Sequence, residues 1–441
     1  MILSETYDRE NGFSSTTATD LGTDKLNQRF WLVVILIFGV LVTISAQLQY
    51  ARLGGEEVYD ELTTGSTFSR QLAFLALAGI SVACYVLYQP ATGKVAYWPI
   101  LLPMFFLILL INVSTLWSDI PSMTFKRAIV ISIIVFSGIV IGRIWDGRSL
   151  ALSIVLISGG FLILSVLAEL YYRSFTMDGY RFSGVLHPSR QAFNCGLLAI
   201  ASTVLYFDGR KRRFLILAAV AIGFVLLTKS RTGLAATLIA VGSVAWSQIS
   251  WNQRVLGLLS ALLLGLGAVI GTSAVAPNYE VDKVALLGRN EEQADPRKLT
   301  GRIPIWTRAI SEFSERPILG FGYGAFWSKE RLETYERLNG WALAHSHSAY
   351  VESLVNFGTI GFMIGLGLLV AAYLRLRKLR SGDIDNIRGH LGCAIMVMAT
   401  LASLTEIAFI ADGYEAWVMA STLGLVGFSG QITPKMEIDR E

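Results

Sequence analysis

The sequence predicts an all-α, polytopic transmembrane helix bundle of about twelve spans with one long outer loop, and three observations carry that prediction. Apolar residues make up 53% of the 441-residue chain and charged residues only 16%, with a mean hydropathy of +0.53. A soluble domain of this length carries nearer about a quarter charged residues. Apolar runs such as FWLVVILIFGVLVTISA (30–46), AIVISIIVFSGIVIG (128–142) and FLILAAVAIGFVLLT (214–228) recur along the chain. With their flanks they are long enough to cross ~30 Å of hydrocarbon as helices. Finally, arginine and lysine gather in alternate connections between those runs.

The elements follow in order. Residues 1–28 are polar and Ser/Thr-rich and read as a disordered cytoplasmic tail. No short polar start and apolar core of a cleaved signal peptide precedes the first full-length span. Segment 29–275 takes nine helices, near 30–48, 70–88, 97–115, 127–142, 149–169, 191–207, 214–228, 232–248 and 255–275. Residues 276–347 form the long loop, and 348–430 take three more helices near 348–374, 391–410 and 414–430, before a cytoplasmic tail at 431–441. Basic clusters at IGRIWDGR (141–148), GRKRR (209–213) and RLRKLR (375–380), with Arg254, all fall on one side. The positive-inside rule makes that side the cytoplasm, so both termini are expected there and the long loop on the outer, periplasmic side of the cytoplasmic membrane. The formal charge of +4 follows from the same bias and points to no nucleic acid. Cys84, Cys195 and Cys393 lie in expected spans, far apart, and read as small packing residues.

Loops as long as 276–347 are usually functional. This one balances ten acidic against ten basic residues, so it is neither an acidic flap nor a basic patch. PIWTRAISEFSE (304–315) and WSKERLETYERL (327–338) have the pattern of amphipathic helices lying over a membrane face. Between them runs RPILGFGYGAFW (316–327), which lacks the Lys-Ser/Thr of a P-loop. Its glycines are expected to make a tight turn docking aromatic rings, with backbone amides available to a diphosphate.

Two of only four histidines, His345 and His347, stand where that loop meets a span, followed by Gly358 and Gly361. Glycines at that spacing suit close helix approach. The pattern of His347-Ser348, nine residues, then Gly358-Thr359-Ile360-Gly361 resembles the O-antigen ligase/polymerase superfamily of bacterial envelope glycosyltransferases, most closely its exopolysaccharide polymerases. LWSDIPSMTFKR (116–127), TKSRTGLAA (228–236) and TGRIPIWTRAISEFSERPILGFGYGAFW (300–327) resemble further segments of that family. Two positions depart from it. Ser348 stands where Asn is frequent, and Ala235 replaces the Leu of the ligase pattern Arg-x-x-x-Leu that begins at Arg231.

The resemblance implies an inner-membrane, metal-independent glycosyltransferase without a cofactor. It would polymerise undecaprenyl-diphosphate-linked oligosaccharide repeats into exopolysaccharide on the periplasmic face, alongside a chain-length regulator and export machinery. The alternatives are a ligase passing lipid-linked glycan to lipid A core and, less favoured, a transporter or flippase of lipid-linked sugars. The chemistry itself asks for little. A diphosphate leaving group needs cations, and arginine gives phosphate oxygens two-pronged bonds without ever losing its charge. The attacking sugar hydroxyl calls for a base near neutral pH. No metal-ligand cluster marks the loop. Arg231 and Arg302 are therefore the expected donor-diphosphate ligands and His347 the expected catalytic base, and the predicted topology brings all three to one face. Further substrate contacts are expected from His345, Ser348 and, in YYRSFTMDGYRFSGVLHPSRQAFN (171–194), Arg181, His187 and Arg190, beside the rings of Tyr171, Tyr172 and Tyr180. Asp119 is a weaker candidate, and Glu169 and Glu406 are carboxylates near or within spans with no evident partner in the sequence.

Overall fold

A computed structural model describes residues 16–46, 68–89, 94–176, 180–250, 301–339, 343–380, 386–407 and 409–429, with side chains from Phe30 onward. The expected span at 255–275, the first part of the long loop and the C-terminal tail lie outside these residues. Helices α1 (Thr16–Ser45), α2 (Phe68–Leu87), α3 (Trp98–Val113), α4 (Pro121–Ile144), α5 (Gly147–Tyr172), α6 (Pro188–Gly209), α7 (Arg212–Leu227) and α8 (Arg231–Gln248) match the first eight expected spans. After them come α9 (Arg302–Phe313), α10 (Lys329–Asn339), α11 (Ala349–Arg380), α12 (Asn386–Ala402) and α13 (Tyr414–Gly427). The protein is an all-α membrane protein, and six of its described helices are long and apolar enough to cross a bilayer: α2, α3 (with the turn that follows it), α4, α5, α6 and α11. A two-residue antiparallel pairing, Val95 with Ser429 and Ala96 with Phe428, closes the end of the bundle away from the long loop.

Two boundaries differ from the sequence reading. The α1 backbone already begins at Thr16, inside the segment expected as a disordered tail, because extending a helix from a strong apolar span costs far less than starting one. The expected span at 391–410 ends as a helix at Ala402 and is followed by turns at 403–405 and 409–413 in the connection to α13. Side-chain hydropathy alone keeps that segment apolar, whereas the Ser403 carbonyl is taken by the distant amide of Ala349.

Packing is set by small residues. Helix α13 is buried along its whole length. It lies against α4 so closely that a Cβ on Gly138 would come within 2.4 Å of the Ala420 carbonyl carbon, and one on Gly142 within 2.1 Å of that of Gly424. Gly138/Gly142 against Ala420/Gly424 is thus a matched pair of small-xxx-small faces, the device by which helices gain dispersion contact where lipid offers no hydrophobic drive. Trp417 Nε1 donates to Ser137 Oγ at 3.0 Å and satisfies the one polar atom of the ring. Around this pair α1, α2, α3, α5, α6, α8, α11 and α12 contribute to the main core, and the three cysteines are buried and free.

At the loop end, α9 and α10 form the two expected amphipathic pieces, sharing an apolar cluster with Phe321, Phe326, Trp327 and Val355 of the neighbouring segments. Helix α11 is broken at Gly358, whose φ of 64° and ψ of −168° no residue with a side chain would hold without strain. The break frees carbonyls. Val355 O accepts from Phe321 N at 2.8 Å and Asn356 O from Gly322 N at 3.0 Å, while Thr359 N donates to Pro317 O at 2.8 Å. The glycine run is therefore laid antiparallel along the broken helix. A Cβ on Gly358 would sit 2.2 Å from Ile318 O, so the glycine is required for contact as well as for its dihedral.

Candidate active site

The two histidines are presented by a turn built on Ser346. Its carbonyl accepts from Trp306 Nε1 of α9 at 2.8 Å, and its N and Oγ donate to Glu352 Oε2 at 3.2 and 2.9 Å. Glu352, in the first turn of α11, also accepts from Trp327 Nε1 at 3.0 Å and from Asn356 Nδ2 at 3.0 Å. Asn356 Oδ1 in turn accepts from Gly324 N at 3.0 Å. With Ser346 so fixed, His345 and His347 flank it, their ring centroids 4.2 Å apart, and His347 N donates to His345 Nδ1 at 3.1 Å. That bond requires His345 Nδ1 to be the unprotonated nitrogen of a neutral ring. His347 has φ of 55°, a left-handed conformation uncommon for a residue with a side chain and found most often where surrounding structure enforces it.

The other half of the site is organised by the connection between α12 and α13. Ser403 O accepts from Ala349 N at 2.9 Å and from Ser348 Oγ at 3.4 Å, which ties this connection to the start of α11. Thr405 Oγ1 bonds Thr232 Oγ1 at 2.8 Å, beside Arg231 at the start of α8. Glu406 Oε1 meets Arg302 Nη2, at the start of α9, at 2.9 Å. The same carboxylate is hydrogen-bonded by Ser189 at the start of α6. Four helix N-termini therefore converge on this connection, and their partial positive charges add to those of the arginines. Arg190 reaches it too, its guanidinium 3.2 Å from the position a Cβ on Gly413 would take.

The electrostatics follow from burial among cations. Burial, then Arg190 and Arg302, push His345 down to about 4. Burial likewise pulls His347 well below the ordinary range, with His345, Arg302 and His187 acting in the same direction. Burial raises Glu406, opposed by Arg302, the Ser189 hydrogen bond, Arg181 and Arg190. The site thus holds neutral imidazoles beside three arginines, Arg181, Arg190 and Arg302, set against two carboxylates, Glu406 and Glu415, the latter facing Arg190. It is suited to an anionic ligand and to accepting a proton once that ligand has arrived.

Most of the residues singled out in the sequence come together here. Arg302, His345, His347, His187 and Arg190 lie close enough to shift one another or Glu406. Arg181 is held by its Nε bond to Thr228 O at 3.1 Å, and Arg231 approaches through Thr232. His187 caps α6, its Nδ1 accepting from Ser189 N at 3.3 Å. Ser348 works as the cap of α11. Gly361 packs close to Leu110 of α3, as its spacing suggested. Glu406 gains the partner the sequence did not show. Glu169 Oε1 accepts locally from Ser183 N at 3.0 Å and Gly184 N at 2.8 Å, and so shapes the 180–187 loop. Asp119 pairs with Arg316 at 2.8 Å as a brace under the glycine run. The amides of that run are spent inside the protein: Tyr323 N donates to Ser114 Oγ at 3.1 Å and Ala325 N to Gly322 O at 3.0 Å, besides those already named. They form no cradle for a phosphate. Sequence reasoning missed Glu352, although it is the single charged residue between 348 and 374 and a buried carboxylate there demands donors.

The sequence also resembles that of known proteins. Residues 214–366 match the family model described as O-antigen ligase, a stretch running from α7 through the histidine turn to the break in α11. The chain is also 26% identical over 333 residues to the exopolysaccharide production protein ExoQ of Rhizobium meliloti (strain 1021), covering 71% of this chain and 74% of that protein.

Proposed function

We propose, from the match of residues 214–366 to the O-antigen ligase family model and the likeness to an exopolysaccharide production protein, that the chain is a member of the O-antigen ligase superfamily near the exopolysaccharide polymerases, and that it polymerises undecaprenyl-diphosphate-linked oligosaccharide repeats on the periplasmic face of the inner membrane. The observation that carries the reading is the meeting of His347 with Arg302 and the neighbouring arginines at the loop end, from segments far apart in sequence. Arg302 and Arg231 hold the donor diphosphate. The acceptor hydroxyl oxygen attacks the anomeric carbon, the bond from that carbon to the diphosphate oxygen breaks, and its electron pair leaves with the diphosphate. His347 takes the hydroxyl proton. Its basicity is suppressed by burial and cations, and the donor's diphosphate offsets those cations, so the base is strengthened when the donor is in place. No metal is required in this scheme, because arginines carry the leaving-group charge.

A ligase using the same residues is the second reading. Ala235, where the ligase pattern has leucine, and similarity to an exopolysaccharide production protein favour polymerisation. The test is complementation of a strain lacking this gene, with lipid-linked and released glycan sized on one gel. His347→Asn is the variant of choice, since asparagine tolerates the left-handed backbone at this position. Wild type should restore long chains and the variant should leave single repeats, a loss of at least about 100-fold in polymer. Long lipid-linked chains accumulating beside bare lipid A would make the protein a ligase. Polymer of normal length in the variant would remove His347 from the chemistry.

A further inference from the structure

The reading of Arg302 as a diphosphate ligand leaves its ion-pair partner, Glu406, without a role. We propose that Glu406 is a place-holder for a donor phosphate: its carboxylate occupies Arg302 in the resting site, and the donor's diphosphate displaces it from that guanidinium. The proposal rests on the functional reading above.

Three observations support it. The pair is close, 2.9 Å, yet not sealed, with the Arg302 side chain 20% and that of Glu406 14% exposed, so an anion entering from the loop end can reach the guanidinium. The turn carrying Glu406 does not depend on the carboxylate for its shape. Ser403 O, Thr405 Oγ1 and the backbone bonds Thr405 N to Ala402 O at 3.1 Å and Glu406 N to Ala402 O at 2.9 Å fix it already. Charge supplies the last. Arg302, Arg190 and Arg181 all act on this one carboxylate, and a diphosphate brings more negative charge to them than the carboxylate it displaces. A second role for Glu406, that of a clasp which merely holds Arg302 in position for the donor, predicts the opposite response to its neutralisation.

The experiment uses the full-length protein in detergent and two probes, inorganic pyrophosphate and farnesyl diphosphate, with binding measured by calorimetry for wild type, Glu406→Gln, Glu406→Ala and Arg302→Ala. Glutamine keeps the shape and a hydrogen-bond acceptor but removes the competing charge. Place-holding predicts that Glu406→Gln binds both probes about three- to tenfold more tightly than wild type. Glu406→Ala, which carries the same expectation, serves should the glutamine variant fail to fold. In turnover the donor KM should fall in the glutamine variant more than kcat changes. Binding by the Glu406 variants that is unchanged or weakened, as it is in Arg302→Ala, overturns the proposal and leaves the clasp. Absence of binding in wild type and every variant overturns the diphosphate reading of Arg302 together with it. Tightening of farnesyl diphosphate alone would locate the gain in the prenyl chain and likewise overturn place-holding.

Discussion

Glu352 and Glu406 are both carboxylates at the loop end, and their surroundings differ in kind. Glu352 is ringed by neutral donors, namely an indole N–H, a backbone N–H, a hydroxyl and an amide, and all of them belong to the fold. Glu406 is ringed by cations, with one guanidinium in contact and two more acting on it. A carboxylate saturated by neutral donors is a fastener, since every group it satisfies would be orphaned by its loss. A carboxylate facing surplus cations marks a place where another anion can enter. The comparison teaches which polar cluster to read as architecture and which as chemistry, although the two touch through Ser346, Ser348 and the turn at 403.

Removing the two carboxylates should separate these roles most sharply. Glu352→Ala orphans buried donors of Trp327, Ser346 and Asn356, and is expected to cost about 3 kcal/mol or more of stability. Glu406→Ala should cost less, about 1 kcal/mol, because the burial of its charge already offsets much of what the ion pair contributes. Chemical unfolding of both variants in detergent measures the gap, and equal losses would erase the distinction. Acid gives a smaller effect. His345, held down to about 4, stays unprotonated in the native site while the unfolded chain takes up a proton near 6.5. Stability should therefore fall as the pH drops from about 6.5 towards 4 and level off below. Glu406, raised in the native site, acts in the opposite sense and softens the slope. Thermal midpoints at pH 7.5 and 5 test the sign, and His345→Asn should reduce the slope, leaving the part that His347 contributes in the same direction. Least of all is expected from Asp119→Asn. That carboxylate is one-third exposed, and the glycine run it braces is held by backbone bonds, so less than about 1 kcal/mol should be lost in the same unfolding assay.

The helix bodies were legible because apolar length is what a bilayer selects, and every expected span within the described residues has its helix. The face of the site was legible as well, since the sequence places a histidine at a loop–span junction and arginines at helix starts. What could not be read was the connection between α12 and α13. LTEIAFI is as apolar as a span, and its helix stops because Ser403 O accepts from Ala349 N, some fifty positions earlier in the chain. Hydropathy counts side chains and is blind to a carbonyl taken by a distant amide. The partner of Glu406 was hidden for the same reason, and the role of Glu352 because a lone carboxylate in an apolar stretch announces a need without naming the donors that meet it. The glycine run was misleading in the other direction. Its composition suggests amides offered to a ligand, yet the fold consumes them.

The break at Gly358 bears on how such proteins can be recombined. Because the segment 317–322 exchanges backbone hydrogen bonds with 355–360, neither strand of that exchange has its full set of partners alone. A chimera that transplants the outer loop between relatives and cuts at the histidine turn would pair a foreign glycine run with a resident helix, in a register set by two different chains. The transferable unit is the loop together with the first turns of α11 beyond the kink, and grafts should take their downstream junction in the straight, lipid-facing part of that helix.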